Sequence, residues 1–194
     1  MNKLPLDIQK EFFKFYNGET SVKDFEKWVY ANSEIENLLS ESDYLNLISL
    51  DFKKNFTKHE VHKILDQYFN LEEYEKWKIY KILNDLILKN QNFVNSLKQT
   101  YNLSSNGFGF MDHLGMGYGL NFVVYELQDW NKLSITQKQN RIDEIYNEVK
   151  VIAIKIFSWL EEGKIVITDR RTDSGHYYYH DNRSEQEKKS LFSE

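Results

Sequence analysis

Apolar residues recur every three to four positions through most of the first hundred residues, which is the spacing of helices with one buried face. The first such run begins at Leu6 and stops at Asn17-Gly18, a pair typical of helix ends. The only proline is Pro5, so no later residue forbids a long helix. The pattern therefore predicts an N-terminal half that is built mostly from helices.

Capping residues predict where the later helices of this half begin. A serine, threonine or asparagine with an acid three residues later can satisfy the free N–H groups of a first helical turn. Such starts are expected at Ser21 with Asp24, Ser33 with Glu36, Ser42, Thr57 with Glu60, and Asn70 with Glu73. Residues 47–52, which follow the start at Ser42, also suit a strand.

The pattern changes after residue 102. Five of the eight glycines lie in residues 102–120, and between Gly107 and Gly119 they alternate with large apolar residues. Glycine interrupts regular elements and permits sharp bends, so this segment is expected to be a loop or a pair of glycine-bent strands. A strand is expected to follow over residues 120–127.

The most regular helical pattern lies in the second half. It opens at Thr136 with Gln139, keeps helical spacing over five turns, and ends at Gly163. Two strand-like runs follow, at residues 164–169 and 176–180, and the turn residues between them predict a hairpin in which Tyr177 and Tyr179 face the core.

These elements predict an α+β fold. Its N-terminal half is predominantly α-helical, and its C-terminal half has a small antiparallel sheet packed by a long helix. A single domain over residues 1–194 is expected. The alternative is a helical subdomain over residues 1–103 and an α+β subdomain over residues 104–194.

Composition narrows the range of functions. The chain has no cysteine, which excludes disulfides, thiol nucleophiles and thiolate metal sites. It has no run of 18 apolar residues and no secretory signal pattern, so we expect a cytoplasmic protein without a membrane span. The net charge of −5 argues against nucleic acid as the partner, because such binding requires a basic surface.

The acidic residues are unevenly distributed. Residues 17–51 contain eight acids and two bases, so this stretch carries more negative charge than the whole chain. The simpler interpretation is a set of solvated helix faces. The functional interpretation is an acidic surface that steers a basic protein partner, with Glu34, Glu36, Glu41 and Asp43 as the partner-binding residues.

The glycine-rich segment 107–119 is the second candidate site. Its backbone N–H groups could bind an anionic ligand, with Asp112, His113 and Tyr118 beside it, although it lacks both the P-loop and the dinucleotide motif. His59 and His62 have no third ligand nearby in the sequence and suit exposed helix positions. His176 and His180 share one face of a strand, which could be solvated or meet a partner, and the sequence places no nucleophile or carboxylate for catalysis beside them. No metal, cofactor or catalytic residue is predicted.

Two stretches carry a resemblance to known proteins. NGETSVKDFEKWVY at residues 17–30 and FSWLEEGKIV at residues 157–166 resemble parts of small uncharacterised bacterial proteins that are encoded beside polymorphic toxins. The resemblance implies an immunity protein that neutralises a cognate toxin by binding and occluding it. The alternative is a small-ligand-binding protein or enzyme that uses the glycine-rich segment.

Overall fold

The computed structural model describes residues 3–54, 56–125, 130–173 and 175–189. Within these ranges the chain is mostly helical, with a two-stranded antiparallel sheet near its C-terminal end. The expected α+β class, with a helical first half and a small sheet with a long helix in the second, is confirmed. The chain divides into two compact units, unit 1 (Met1–Tyr74) and unit 2 (Glu75–Glu194).

Unit 1 is held together by aromatic rings. Its helices are α1 (Leu6–Tyr16), α2 (Val22–Ala31), α3 (Glu34–Leu38), α4 (Glu41–Ile48) and α5 (Thr57–Leu65), followed by a 3-10 turn (Asp66–Tyr68). The Phe15 ring stacks on Phe25 with centroids 3.8 Å apart, and Phe12 meets Phe25 edge-on at 5.5 Å. Phe69 closes the cluster at 5.5 Å from Phe12. These four phenylalanines are therefore part of the core of unit 1, where ring pairs add to the energy of apolar burial.

The starts of α2 and α3 test the capping rule. Ser21 Oγ accepts a hydrogen bond from the backbone N–H of Asp24 at 3.1 Å, which confirms the expected cap of α2. Ser33 makes no side-chain capping bond, and the expected cap of α3 is wrong. Asn32 takes that role, because its Oδ1 accepts from the N–H of Glu34 at 3.0 Å.

Helix α4 begins earlier than the sequence prediction placed it. Ser40 Oγ accepts from the N–H of Asp43 at 3.2 Å, so Ser40 rather than Ser42 is the cap. The two serines lie two residues apart, and only Ser40 has an acid three residues later. The helix continues to Ile48, and the strand alternative for residues 47–52 is therefore wrong.

Unit 2 has its own apolar core. Its regular elements are the larger part of α6 (Leu71–Leu88), α7 (Phe93–Ser105), α8 (Ile135–Glu161), β1 (Ile165–Arg171), β2 (Tyr177–Asp181) and α9 (Glu185–Lys189). Leu83, Leu97 and Ile156, from the three longest helices of the unit, are fully buried in one cluster with Ile165 and Ile167 of β1. The small sheet is therefore covered on one face by helices, as the sequence predicted.

The hairpin agrees with its prediction. Strands β1 and β2 are antiparallel, with Ile165 opposite Asp181 and Ile167 opposite Tyr179. Tyr177 and Tyr179 are half-buried against the core, whereas Tyr178 between them is exposed. The alternation follows from the two-residue side-chain period of a strand.

Helix α8 also starts two residues before its predicted opening. Ser134 Oγ accepts from the N–H of Gln137, and the Gln137 side chain accepts from the N–H of Ser134, a complete capping box. The expected pair, Thr136 with Gln139, lies inside the first turns of the helix. Gly163 follows the helix with a φ of +68°, a left-handed conformation that glycine adopts without strain.

The glycine-rich segment is helical, which contradicts the expected loop or bent strands. From Gly109 onward it consists of a 3-10 turn (Gly109–Met111), an α-helical turn (Asp112–Leu114) and a π-helical turn (Gly115–Gly119), and a second π-helical turn (Asn121–Tyr125) follows it. The expected strand over residues 120–127 is likewise wrong through Tyr125, and residues 126–127 lie outside the described ranges.

Packing against α7 explains why so many glycines are compatible with a helical segment. A Cβ on Gly115 would lie 2.7 Å from the carbonyl oxygen of Thr100, and one on Gly119 would overlap the carbonyl oxygen of Leu97. The absence of side chains at these two positions therefore lets the segment approach the α7 backbone closely. Phe110, Leu114 and Phe122 are buried at four- and eight-residue spacing, a helical signal already present in the sequence.

Candidate functional site

The net charge of the chain is concentrated in unit 1. Residues 1–74 contain fourteen acids and nine bases, a balance of −5, whereas residues 75–194 contain sixteen of each. The net negative charge of the whole chain therefore comes from unit 1. An acidic surface of this kind attracts basic partners and repels nucleic acids and anionic lipid surfaces.

Five of the fourteen acids of unit 1 lie in a run of 25 residues that contains no base. This run, between Lys27 and Lys53, covers the C-terminal end of α2 and all of α3 and α4. Glu34, Glu36 and Glu41 are exposed in it, as the functional interpretation of the sequence requires. Glu34 and Glu36 flank the fully buried Ile35, which fixes α3 in the core and leaves both carboxylates in solvent.

Asp43 has a different environment from the other three acids. Its Oδ2 accepts hydrogen bonds from the hydroxyls of Ser40 and Tyr68, both at 2.6 Å, and from the amide of Gln67 at 3.0 Å. The hydrogen bond from Ser40, followed by that from Tyr68, holds the pKa of Asp43 below its usual value. Asp43 therefore ties α4 to the turn after α5, and Glu34, Glu36 and Glu41 remain as the acids available to a partner.

Two large apolar side chains are exposed beside these acids. Tyr30 at the end of α2 is 58% exposed, and Leu45 on α4 is 50% exposed. The Tyr30 hydroxyl donates to the carbonyl oxygen of Ile48 at 2.9 Å, so the tyrosine is held against the C-terminal end of α4. Leu45 lies one helical turn before Ile48 on α4. The sequence prediction did not single out this pair.

The sequence contains a weak indication that Tyr30 and Leu45 are exposed. Tyr30 lies five residues after Phe25, about 140° around the helix from it, and so falls off the apolar stripe that Phe25 and Val29 bury. On α4 the buried residue is Leu47, and Leu45 points away from it. An apolar residue away from the buried stripe of an amphipathic helix is the feature to look for.

The second candidate, the glycine-rich segment, places its three residues in separate contacts. Asp112 accepts a hydrogen bond from Ser104 Oγ at 2.6 Å, and the Tyr118 hydroxyl donates to Glu148 on α8 at 2.6 Å. Burial, followed by that hydrogen bond, raises the pKa of Tyr118 to about 12. His113 is half-buried, with its ring 6.4 Å from the ring of Tyr118. Asp112 and Tyr118 thus link the segment to α7 and α8.

The histidine pairs lie at the surface, as expected. His59 and His62 are exposed on α5, and the His62 ring lies 5.4 Å from the ring of Tyr16. His176 and His180 are exposed, and the His180 ring meets Tyr178 edge-on at 5.3 Å. Across the described ranges, no group of three His, Asp or Glu side chains is placed to hold a metal ion.

Comparisons with known proteins add no relative to this description. No protein-family model, no curated protein and no solved structure matches the chain. In the part of the chain that the structure describes, none of the helices combines the length and apolar character needed to cross a membrane.

Proposed function

We propose that this chain is an immunity-type binding protein that neutralises a cognate bacterial toxin by occluding it. The observation that carries the proposal is the concentration of the net charge in unit 1, with Glu34, Glu36 and Glu41 exposed in a run that has no base. Charge of one sign on one surface accelerates encounter with an oppositely charged partner. The sequence resemblance to proteins encoded beside polymorphic toxins supports the same proposal and gives the class of partner.

The proposed mechanism has two parts. The exposed glutamates steer a basic surface of the toxin toward unit 1, and exposed apolar side chains then provide the short-range contact. Charges at the rim of an interface act mainly on the association rate, whereas buried apolar anchors act mainly on the dissociation rate. Occlusion needs no reaction by the immunity protein itself.

The first experiment is capture of the partner from the native host with the tagged protein, followed by mass spectrometry. We expect a toxin domain at near-equal stoichiometry, with an association rate that falls as salt is added. The variant Glu34→Lys/Glu36→Lys/Glu41→Lys, which moves the net charge from −5 to +1, should slow association about tenfold or more. Unchanged association kinetics in this variant would rule out this surface.

A matched control keeps the charge change and moves its location. Glu144, Glu161 and Asp169 are exposed acids of unit 2, and their triple reversal to lysine makes the same change in net charge. This control should retain most of the association rate. Equal slowing by both triple variants would show that total charge, rather than the surface of unit 1, governs binding.

A second candidate function is favoured by the π-helical turns of the glycine-rich segment, because such turns occur frequently at functional sites. In this proposal the segment binds a small ligand, or acts as part of an enzyme, with Asp112, His113 and Tyr118 beside it. A screen of metabolites by thermal shift tests it. A ligand that stabilises the native chain, but not the variant Asp112→Asn/Tyr118→Phe, would support this candidate over the first.

A further inference from the structure

We infer that Tyr30 and Leu45 form the apolar anchor of the acidic surface, and that the surface takes a protein segment in which an apolar side chain is flanked by lysine or arginine. This inference rests on the proposed function and specifies the chemistry of its partner. It concerns the short-range contact, which is distinct from the steering by Glu34, Glu36 and Glu41.

The exposed ring of Tyr30 is held in position before any partner arrives. Its hydroxyl donates to the Ile48 carbonyl oxygen, and its ring lies 6.3 Å from the Phe52 ring in an edge-on arrangement. A tyrosine that is exposed and already fixed loses little side-chain entropy when it is covered. This is the property of residues that contribute most to interfaces, where tyrosine is enriched.

Leu45 is the second exposed apolar side chain, and it lies on the helix whose C-terminal end accepts the Tyr30 hydroxyl. It is half exposed and lies one turn before Ile48, the residue that holds the Tyr30 hydroxyl. Covering a leucine that is half exposed removes apolar area from water, and the gain scales with that area. Tyr30 and Leu45 together offer an aromatic and an aliphatic contact from two helices.

The acids around this pair define the partner. Glu41 lies four residues before Leu45 on α4, and Glu26 lies four residues before Tyr30 on α2, so each anchor has a glutamate one turn away on the same side of its helix. Between Lys27 and Lys53 the sequence has no base to neutralise Glu41, and Lys27 itself, three residues before Tyr30, pairs with Asp24 at 3.5 Å. An apolar centre with a charged rim is the usual anatomy of a protein interface. Complementarity then requires an apolar residue between basic residues on the partner.

The direct test uses synthetic peptides as probes. The first has a central leucine flanked by lysines, the second has alanine at the centre with the same lysines, and the third keeps the leucine and replaces lysine with glutamate. Binding to the full chain is measured by fluorescence anisotropy, and the contact surface is located by NMR amide shifts. We expect the first peptide to bind at least tenfold more tightly than the other two, with shifts concentrated in residues 26–52.

Variants of the full chain locate the anchor. Leu45→Ala removes no side-chain hydrogen bond, so this variant should fold normally. Its affinity for the first peptide should be about tenfold lower than that of the native chain. Tyr30→Phe, which keeps the ring and loses the bond to Ile48, should weaken it less. Leu88→Ala is the control, because Leu88 in unit 2 is 71% exposed and should leave binding unchanged.

The inference is overturned if the leucine and alanine peptides bind equally, if no peptide binds the native chain, or if Leu45→Ala binds as the native chain does. Its failure is distinguishable from failure of the proposed function. A Leu45→Ala chain that still neutralises a captured toxin, while the triple reversal of Glu34, Glu36 and Glu41 does not, would retain the immunity function and reject this anchor.

Discussion

The packing of the glycine-rich segment against α7 gives a prediction with opposite signs at neighbouring glycines. A Cβ on Gly115 would lie 2.7 Å from the Thr100 carbonyl oxygen and 2.9 Å from Ser104 Cβ, whereas a Cβ on Gly117 would meet nothing within 4 Å. Gly115→Ala should therefore destabilise the fold. Gly117→Ala should stabilise it, because alanine is favoured over glycine in exposed helical positions by about 0.5–1 kcal/mol.

The size of the first effect follows from the contact distances. An ordinary contact at a Cβ is about 3.4 Å or longer, so the backbones must separate by roughly 0.7 Å at Gly115. A gap of that size forfeits about a quarter to a half of the dispersion energy of each facing atom pair. Overpacking of a well-packed site costs about 1–3 kcal/mol. We expect Gly115→Ala to lose about 2 kcal/mol in free energy of unfolding, and Gly119→Ala to lose more.

Urea unfolding, monitored by far-UV circular dichroism, measures the change in stability of both variants. With a slope of about 2 kcal/mol per M of urea, the midpoints of Gly115→Ala and Gly117→Ala should differ by about 1–1.5 M. The Gly117→Ala variant is the matched control, since it makes the same chemical change two residues away. A Gly115→Ala midpoint at or above that of the native chain would refute the close packing of this segment on α7.

Three further predictions test contacts elsewhere in the fold. Tyr177→Phe should lower the free energy of unfolding by about 1–3 kcal/mol, measured in urea, because it removes the 2.6 Å hydrogen bond to the buried carboxylate of Glu75. Asp43→Asn should reduce the loss of free energy of unfolding that the native chain shows as the pH is lowered into the acid range. The pKa of Asp43 is lowered in the folded chain, so its contribution is present above the ordinary value of 3.8 and is lost as the pH falls below it; an unchanged loss in the acid range would contradict this. Arg183→Lys should lower the free energy of unfolding, measured in urea, by about 1 kcal/mol, because lysine cannot reproduce the two hydrogen bonds of 2.9 and 2.8 Å to Asp181. A variant as stable as the native chain would contradict that role.

The parts of the fold that the sequence predicted are those with one strong local period. From Ile142 to Leu160, helix α8 has an apolar residue at every third or fourth position, and this pattern has one interpretation. The starts of α4 and α8 were placed two residues late, since Ser40 and Ser134 each precede another residue able to cap a helix. Local patterns identify elements more reliably than they identify ends.

The glycine-rich segment shows where the local signal fails. Glycine has a low intrinsic helix propensity, and five glycines in nineteen residues predict bends or loops. The tertiary structure reverses this, because Gly115 and Gly119 are needed for the approach to α7. Only the spacing of Phe110, Leu114 and Phe122 pointed to a helix.

The candidate site was predictable in charge but not in detail. A count of acids picks out the stretch over residues 17–51, and Glu34, Glu36 and Glu41 are exposed in it. Asp43 could not be separated from them, because Tyr68 and Gln67, which donate to its carboxylate, lie 25 and 24 residues later in the chain. The exposure of Tyr30 depends equally on how α2 meets α4.

The most direct test of the central claim is growth rescue. A bacterial strain that expresses the captured toxin is supplied with the native chain, with the triple reversal of Glu34, Glu36 and Glu41, or with the matched reversal of Glu144, Glu161 and Asp169. We predict growth with the native chain and with the matched reversal, and loss of growth with the reversal in unit 1. Growth with all three chains would contradict the account that the acidic surface of unit 1 neutralises the toxin.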